Sequence, residues 1–110
     1  MEFGFRKSDW MDDWYVLDGA PGGQPEGTAE HWRNVIAAMR AGKIWYETRV
    51  GAWLDRSVES LPRYKVYSPR NAYGNDDCVW IGAGEVEDFC REVEAELAKY
   101  DDRVSAGMGI

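Results

Sequence analysis

A chain of 110 residues with 20 acidic and 13 basic side chains, formal charge −7, is sized for one domain that buries roughly two thirds of its unfolded surface without staples. Its two cysteines fit neither a disulfide framework nor a zinc quartet, so Cys78 and Cys90 read as buried thiols. No run approaches the ~20 apolar residues of a membrane span, and Asp9, Asp12 and Asp13 stand where a signal peptide is apolar, so the expectation is a cytoplasmic, unprocessed protein.

Charge is segregated along the chain. Residues 1–30 hold seven acids and two bases, residues 31–75 three acids and eight bases, and residues 76–110 ten acids and three bases. A basic centre between acidic ends is most simply neutralised internally, because sequence-distant elements of a small domain are neighbours in space.

Ser8 is placed to cap a short turn through Asp13, and Trp14 to Asp18 (WYVLD) has the aromatic and branched content of a strand. Asp18 to Gly27 packs four glycines and two prolines into ten residues and reads as a loop or hinge. Thr28 then caps a helix whose Trp32, Val35, Ile36 and Met39 follow i, i+3, i+4, i+7, and Gly42 stops it. Ile44 to Val50 has strand propensity, with Ile44, Tyr46, Thr48 and Val50 on one face. Beyond Gly51, the spacing of Trp53, Leu54, Val58 and Leu61 predicts a short second helix ended by Pro62. Tyr64 to Tyr67 and Cys78 to Ile81 read as strands around a ten-residue polar loop, longer than a hairpin needs and of the kind that carries function. From Glu85 to Tyr100, Val86, Phe89, Cys90, Val93, Leu97 and Tyr100 line one helix face, with Glu85, Glu87 and Asp88 in the first turn. These elements give an α+β fold, a small, mostly antiparallel sheet of three or four strands against two or three helices. A single domain is expected over residues 1–102, with a loosely ordered tail at 103–110.

Most catalytic and cofactor chemistry fails on inspection. Gly82-Ala83-Gly84 sits between strand and helix as a dinucleotide turn does, but the third glycine of that fingerprint would fall at Glu87, and three first-turn carboxylates repel a pyrophosphate. Gly22-Gly23 lacks the Lys-Ser or Lys-Thr of a phosphate loop. His31, the only histidine, lies on the polar side of its helix, while Cys90 falls on a buried face, so no Cys-His pair is expected. Neither Asp76-Asp77 nor Asp9, Asp12 and Asp13 match a calcium loop. The expectation is no enzyme, no metal and no cofactor.

Six tryptophans exceed what one small core needs, which points to aromatic side chains working at a surface. Trp10, Trp14, Tyr15 and Tyr73, beside Asp12, Asp13, Asp76 and Asp77, are the predicted partner-binding residues, while Trp32, Tyr46 and Phe89 are assigned to the core. Carboxylates around aromatic anchors suit a partner with a basic surface, including one built for nucleic acid. In size, charge and aromatic content the chain is similar to the small inhibitors that phages and mobile elements use against host defence, anti-CRISPR proteins among them, and to bacterial immunity proteins. That resemblance implies action by occupying a partner surface. The alternative is a nucleic-acid module in residues 44–73, where Arg49, Arg63, Lys65 and Arg70 alternate with aromatic residues able to stack bases.

Overall fold

The computed structural model describes residues 3–19, 24–47, 49–68 and 78–108, with side chains as far as Tyr100. In chain order the elements are β1 (Gly4–Lys7), β2 (Trp14–Asp18), β3 (Glu26–Thr28), α1 (Ala29–Arg40), β4 (Gly51–Asp55), β5 (Arg63–Tyr67), β6 (Cys78–Gly82) and, after a 3-10 turn at Ala83–Glu85, α2 (Val86–Met108). The strands form two three-stranded antiparallel sheets, β1-β2-β3 and β4-β5-β6, packed against the two helices, so the fold is α+β as predicted.

Local chemistry accounts for the first half. The Ser8 hydroxyl accepts from the Trp10 and Met11 amides, both at 3.3 Å, and the Ser8 amide donates to Trp14 O at 2.8 Å, which closes the turn between β1 and β2. β3 emerges from the end of the glycine- and proline-rich segment as an edge strand, the position that tolerates a neighbouring Pro25. Thr28 caps α1: its hydroxyl accepts from the His31 amide at 3.3 Å while His31 Nδ1 accepts from the Thr28 amide at 3.4 Å. This is a capping box with imidazole in the usual Glu or Gln place. The predicted stripe of Trp32, Val35, Ile36 and Met39 is buried, and Gly42 takes φ +68° just past the helix end.

The second half departs from expectation between residues 44 and 61. Among the described residues of the predicted strand only Trp45 pairs, through two hydrogen bonds of 2.9 and 3.0 Å with Ala52, and Tyr46, assigned to the core, is 58% exposed. Residues 53–61 are not a helix. Gly51 to Asp55 form β4, matched residue for residue with Tyr67 to Arg63 of β5, and this pairing sends Trp53 and Leu54 to opposite faces. The helical spacing was carried by Val58 and Leu61, which are solvent-exposed in the turn that follows. α2 begins close to its predicted start, and its helical backbone extends to Met108.

One core joins everything. Tyr15 and Leu17 of the first sheet, Ala52, Tyr64, Val66, Val79 and Ile81 of the second, Trp32, Val35, Ile36 and Met39 of α1, and Phe89, Cys90, Val93 and Leu97 of α2 belong to a single buried cluster. Trp32 is fully buried and donates Nε1–H to Tyr15 O at 3.0 Å, tying α1 to β2. Arg40 ties the helices together, bonding Glu87 at 3.0 and 3.1 Å and Glu94 at 2.6 Å. Among the described residues no helix is long and apolar enough to cross a membrane.

Candidate functional site

The predicted acidic and aromatic surface is only partly assembled. Trp10 is 69% exposed beside the exposed Asp12 and Asp13, but Trp14 and Tyr15 are buried. Both follow from their strand. β2 is the middle strand of its sheet and both of its faces are covered, so neighbouring aromatic residues are enclosed on opposite sides. Tyr15 turns to the core, stacked on Phe5 at 5.7 Å and edge-on to Tyr100 at 5.8 Å. Trp14 turns the other way, under the Arg49 guanidinium at 4.5 Å and beside Trp10 at 6.2 Å. Tyr73, Asp76 and Asp77, with Arg70 of the basic set, lie outside the described residues.

The basic residues lead to a different surface. Alternation along the second sheet turns Ala52, Leu54, Tyr64, Val66, Val79 and Ile81 toward the core. The outward positions then fall into register as cross-strand rows: Trp53–Lys65–Trp80 in the middle, Asp55–Arg63–Gly82 on one side and Gly51–Tyr67–Cys78 on the other. Directly opposed Cβ atoms on neighbouring strands lie about 5 Å apart, so the central row is two indoles flanking one ammonium stem. Trp53 is 43% exposed, Arg63 is exposed, and Lys65 and Trp80 are half-buried. Tyr46 extends the row, its ring edge-on to Trp53 at 5.6 Å.

Interactions within the face hold these groups in place. The Arg63 guanidinium lies 3.8 Å from the Trp80 ring centre, and its Nε is 3.5 Å from Asp55 Oδ2. Asp55 is held below the usual carboxylate range first by the Ser57 amide that donates to it, and secondarily by Arg63. The Lys65 ammonium sits 5.8 Å from the Tyr67 ring, and burial pushes the Tyr67 phenol up. Gly51 is required at the sheet edge, where an added Cβ would come within 3.0 Å of Trp45 O and 3.3 Å of the Tyr67 ring.

The sequence points to Arg63 and Lys65 for the nucleic-acid alternative, in a segment, 44–73, that also holds Trp53, but Trp80 lies beyond that segment and Tyr46 is assigned to the core. Trp80 becomes part of the face only through the register of β6 on β5, a pairing of segments ten residues apart that no local pattern encodes. Arg49 is separate, drawn to Trp14 on the first sheet.

The reactive side chains have structural uses. Cys78 and Cys90 are buried thiols, and burial pushes the Cys90 thiol up to about 11, so its thiolate is scarce at neutral pH. Cys90 Sγ donates to Ile36 O at 3.7 Å. His31 serves the α1 cap, with Nε2 3.8 Å from a Glu47 carboxylate oxygen. Among the described residues there is no group of three or more His, Cys, Asp or Glu side chains able to hold a metal ion. Compared with known proteins, the chain matches no family model, no curated protein and no solved structure.

Proposed function

We propose that this protein is a non-enzymatic interaction domain that docks a partner protein on the outward face of β4-β5-β6. The supporting observation is the exposed row Trp53–Lys65–Trp80 with Tyr46 and Arg63 at its margins. Trp, Tyr and Arg are the side chains that dominate binding hot spots, since each buries a large rigid area while keeping a polar end satisfied. A pre-ordered face also lowers the entropy cost of association. The partner that fits is apolar at its centre and carries a carboxylate opposite Lys65, the one cation of the face that no described carboxylate accompanies. This differs from the basic partner expected of an acidic surface, because Trp14 and Tyr15 are not available as anchors there.

Nucleic acid is disfavoured at the same face. Asp55 offsets Arg63, Arg49 stands elsewhere, and the whole chain carries −7, so few phosphates would be neutralised against an unfavourable long-range field.

The test is capture of binding proteins by the tagged, nuclease-treated protein and by the variants Trp53→Ala, Lys65→Glu and Asp12→Lys/Asp13→Lys. A partner bound by the wild type is expected to lose ~30-fold in affinity with Trp53→Ala, the ~2 kcal/mol of a hot-spot residue, and to be retained by the Asp12/Asp13 variant. Retention by Trp53→Ala and Lys65→Glu with loss at Asp12/Asp13 would return the assignment to the acidic turn around Trp10. Binding abolished by nuclease would return it to nucleic acid.

A further inference from the structure

A second recess lies on the core side of the same sheet, where the end of α1, strands β4 and β5 and the start of α2 converge. Its apolar wall is Met39, Leu54, Pro62, Tyr64 and Val86, and its volume, about 510 Å³, is within the range of small-ligand sites. Over Pro62 and Ala83 it adjoins another depression of about 670 Å³ bordered by Val58 and Leu61, the exposed apolar side chains of the β4–β5 turn.

The charges around the recess are not equivalent. Arg40 is committed to Glu87 and Glu94, and Arg91 adds a 3.5 Å contact to Glu87, so these two cations and two anions cancel. Arg56, exposed at the rim, has no ion pair among the described residues. Among the described residues the recess therefore presents an apolar wall, one guanidinium without an ion pair and, in the same lining, the Glu87 carboxylate, whose oxygens keep lone pairs beyond those that accept from Arg40. Those are the complements of three features found together at the end of a polypeptide: an apolar side chain, a free carboxylate and an amide N–H.

We infer that this recess binds the carboxyl terminus of a peptide ending in an apolar residue. Arg56 receives the carboxylate, Met39, Leu54 and Val86 receive the last side chain, and the strip along Pro62, Val58 and Leu61 receives the residues before it. A fatty acid would satisfy Arg56 and the apolar wall but offers no donor to Glu87. The inference does not rest on the outward sheet face: Trp53, Lys65, Trp80 and Tyr46 line neither depression, and of that face only Arg63 borders the second one.

The test is titration of the ¹⁵N-labelled full chain with an acetyl-capped pentapeptide ending in Val-Leu, as the free acid and as the C-terminal amide, and with decanoate. Saturable shifts of the Leu54, Ala83 and Val86 amides by the free acid are expected, weakened at least 10-fold by amidation and by Arg56→Gln, and unchanged by Trp53→Ala. Arg56 is exposed, so Arg56→Gln is expected to keep the dispersed spectrum of a folded chain. No saturable shift, equal binding of acid and amide, indifference to Arg56→Gln, or tighter binding of decanoate than of the peptide would each overturn it.

Discussion

Gly27 sets how closely the first sheet can approach the rest of the molecule. A Cβ at this position would lie 2.9 Å from Val50 Cγ1, 3.2 Å from His31 Cβ and 3.3 Å from His31 Nδ1, so the methyl group would press on the core and on the imidazole that completes the α1 cap. Neither neighbour yields easily, since Val50 is fully buried and His31 is fixed by its bond to the Thr28 amide. Gly27→Ala is accordingly expected to destabilise the fold by ~1–3 kcal/mol, the usual cost of overpacking, read as a lower urea midpoint with an unchanged slope. The opposite sign would mean that the reduced entropy of the unfolded chain outweighs the clash. Trp53 illustrates the converse at the surface, where an aromatic ring supported by Tyr46 contributes little to the core and is free to serve a partner.

Between elements, the most specific link is electrostatic. Arg40, in the last turn of α1, reaches Glu87 and Glu94 of α2, and its hydrogen bonds hold both carboxyls below the ordinary Glu range while raising its own pKa further. Because the folded-state values are depressed, the link contributes in full above the unfolded carboxylate value of about 4.3 and fades as pH falls through the lower folded values. The pairs are exposed, so the contribution is modest and salt-sensitive. Arg40→Gln should therefore lower the urea midpoint at pH 6, and the gap from wild type should narrow as pH falls below the unfolded carboxylate value and through the lower folded ones; a gap that does not narrow in acid would assign the loss to packing of the arginine stem. Such a link lies beyond local pattern, which is also where the sequence reading stopped. WYVLD as a strand, the Thr28 cap and the apolar stripes of both helices were legible because each is written in neighbouring residues. β4 was mistaken for a helix because two adjacent apolar residues followed by Val58 and Leu61 satisfy helical spacing, and only hydrogen bonding to β5 decides between the two. Three of the five residues of the candidate face were legible, Arg63, Lys65 and Trp53, while Trp80 required the β5–β6 register and Tyr46 required knowing that its strand does not form.

At the scale of the whole molecule, two sheets that share no strand are made one unit by what lies between them. α1 packs against α2, touches strands of both sheets, and its stripe joins a cluster that runs from Leu17 and Phe5 to Val66, Ile81 and Phe89. Charge follows the same plan only in part: the basic centre meets the acidic helix at Arg40, but Arg63 is offset from within the centre by Asp55, which leaves the outward face close to neutral on an acidic body. An aromatic face of low charge resists self-association when the surrounding body repels copies of itself, and it accepts a partner whose own charge complements Lys65. The shared core carries the stronger consequence. Neither sheet buries its inner face without the helices, so unfolding should be a single cooperative step, with far-ultraviolet circular dichroism and tryptophan fluorescence giving coincident urea transitions. Leu17→Ala in the first sheet and Val66→Ala in the second, both fully buried, should each move that one transition down, by ~2–5 kcal/mol and by a somewhat smaller amount respectively. Two resolved transitions, with each substitution moving only its own, would show that the sheets fold separately and that Trp32 and Phe89 seal an interface between them rather than the middle of one core.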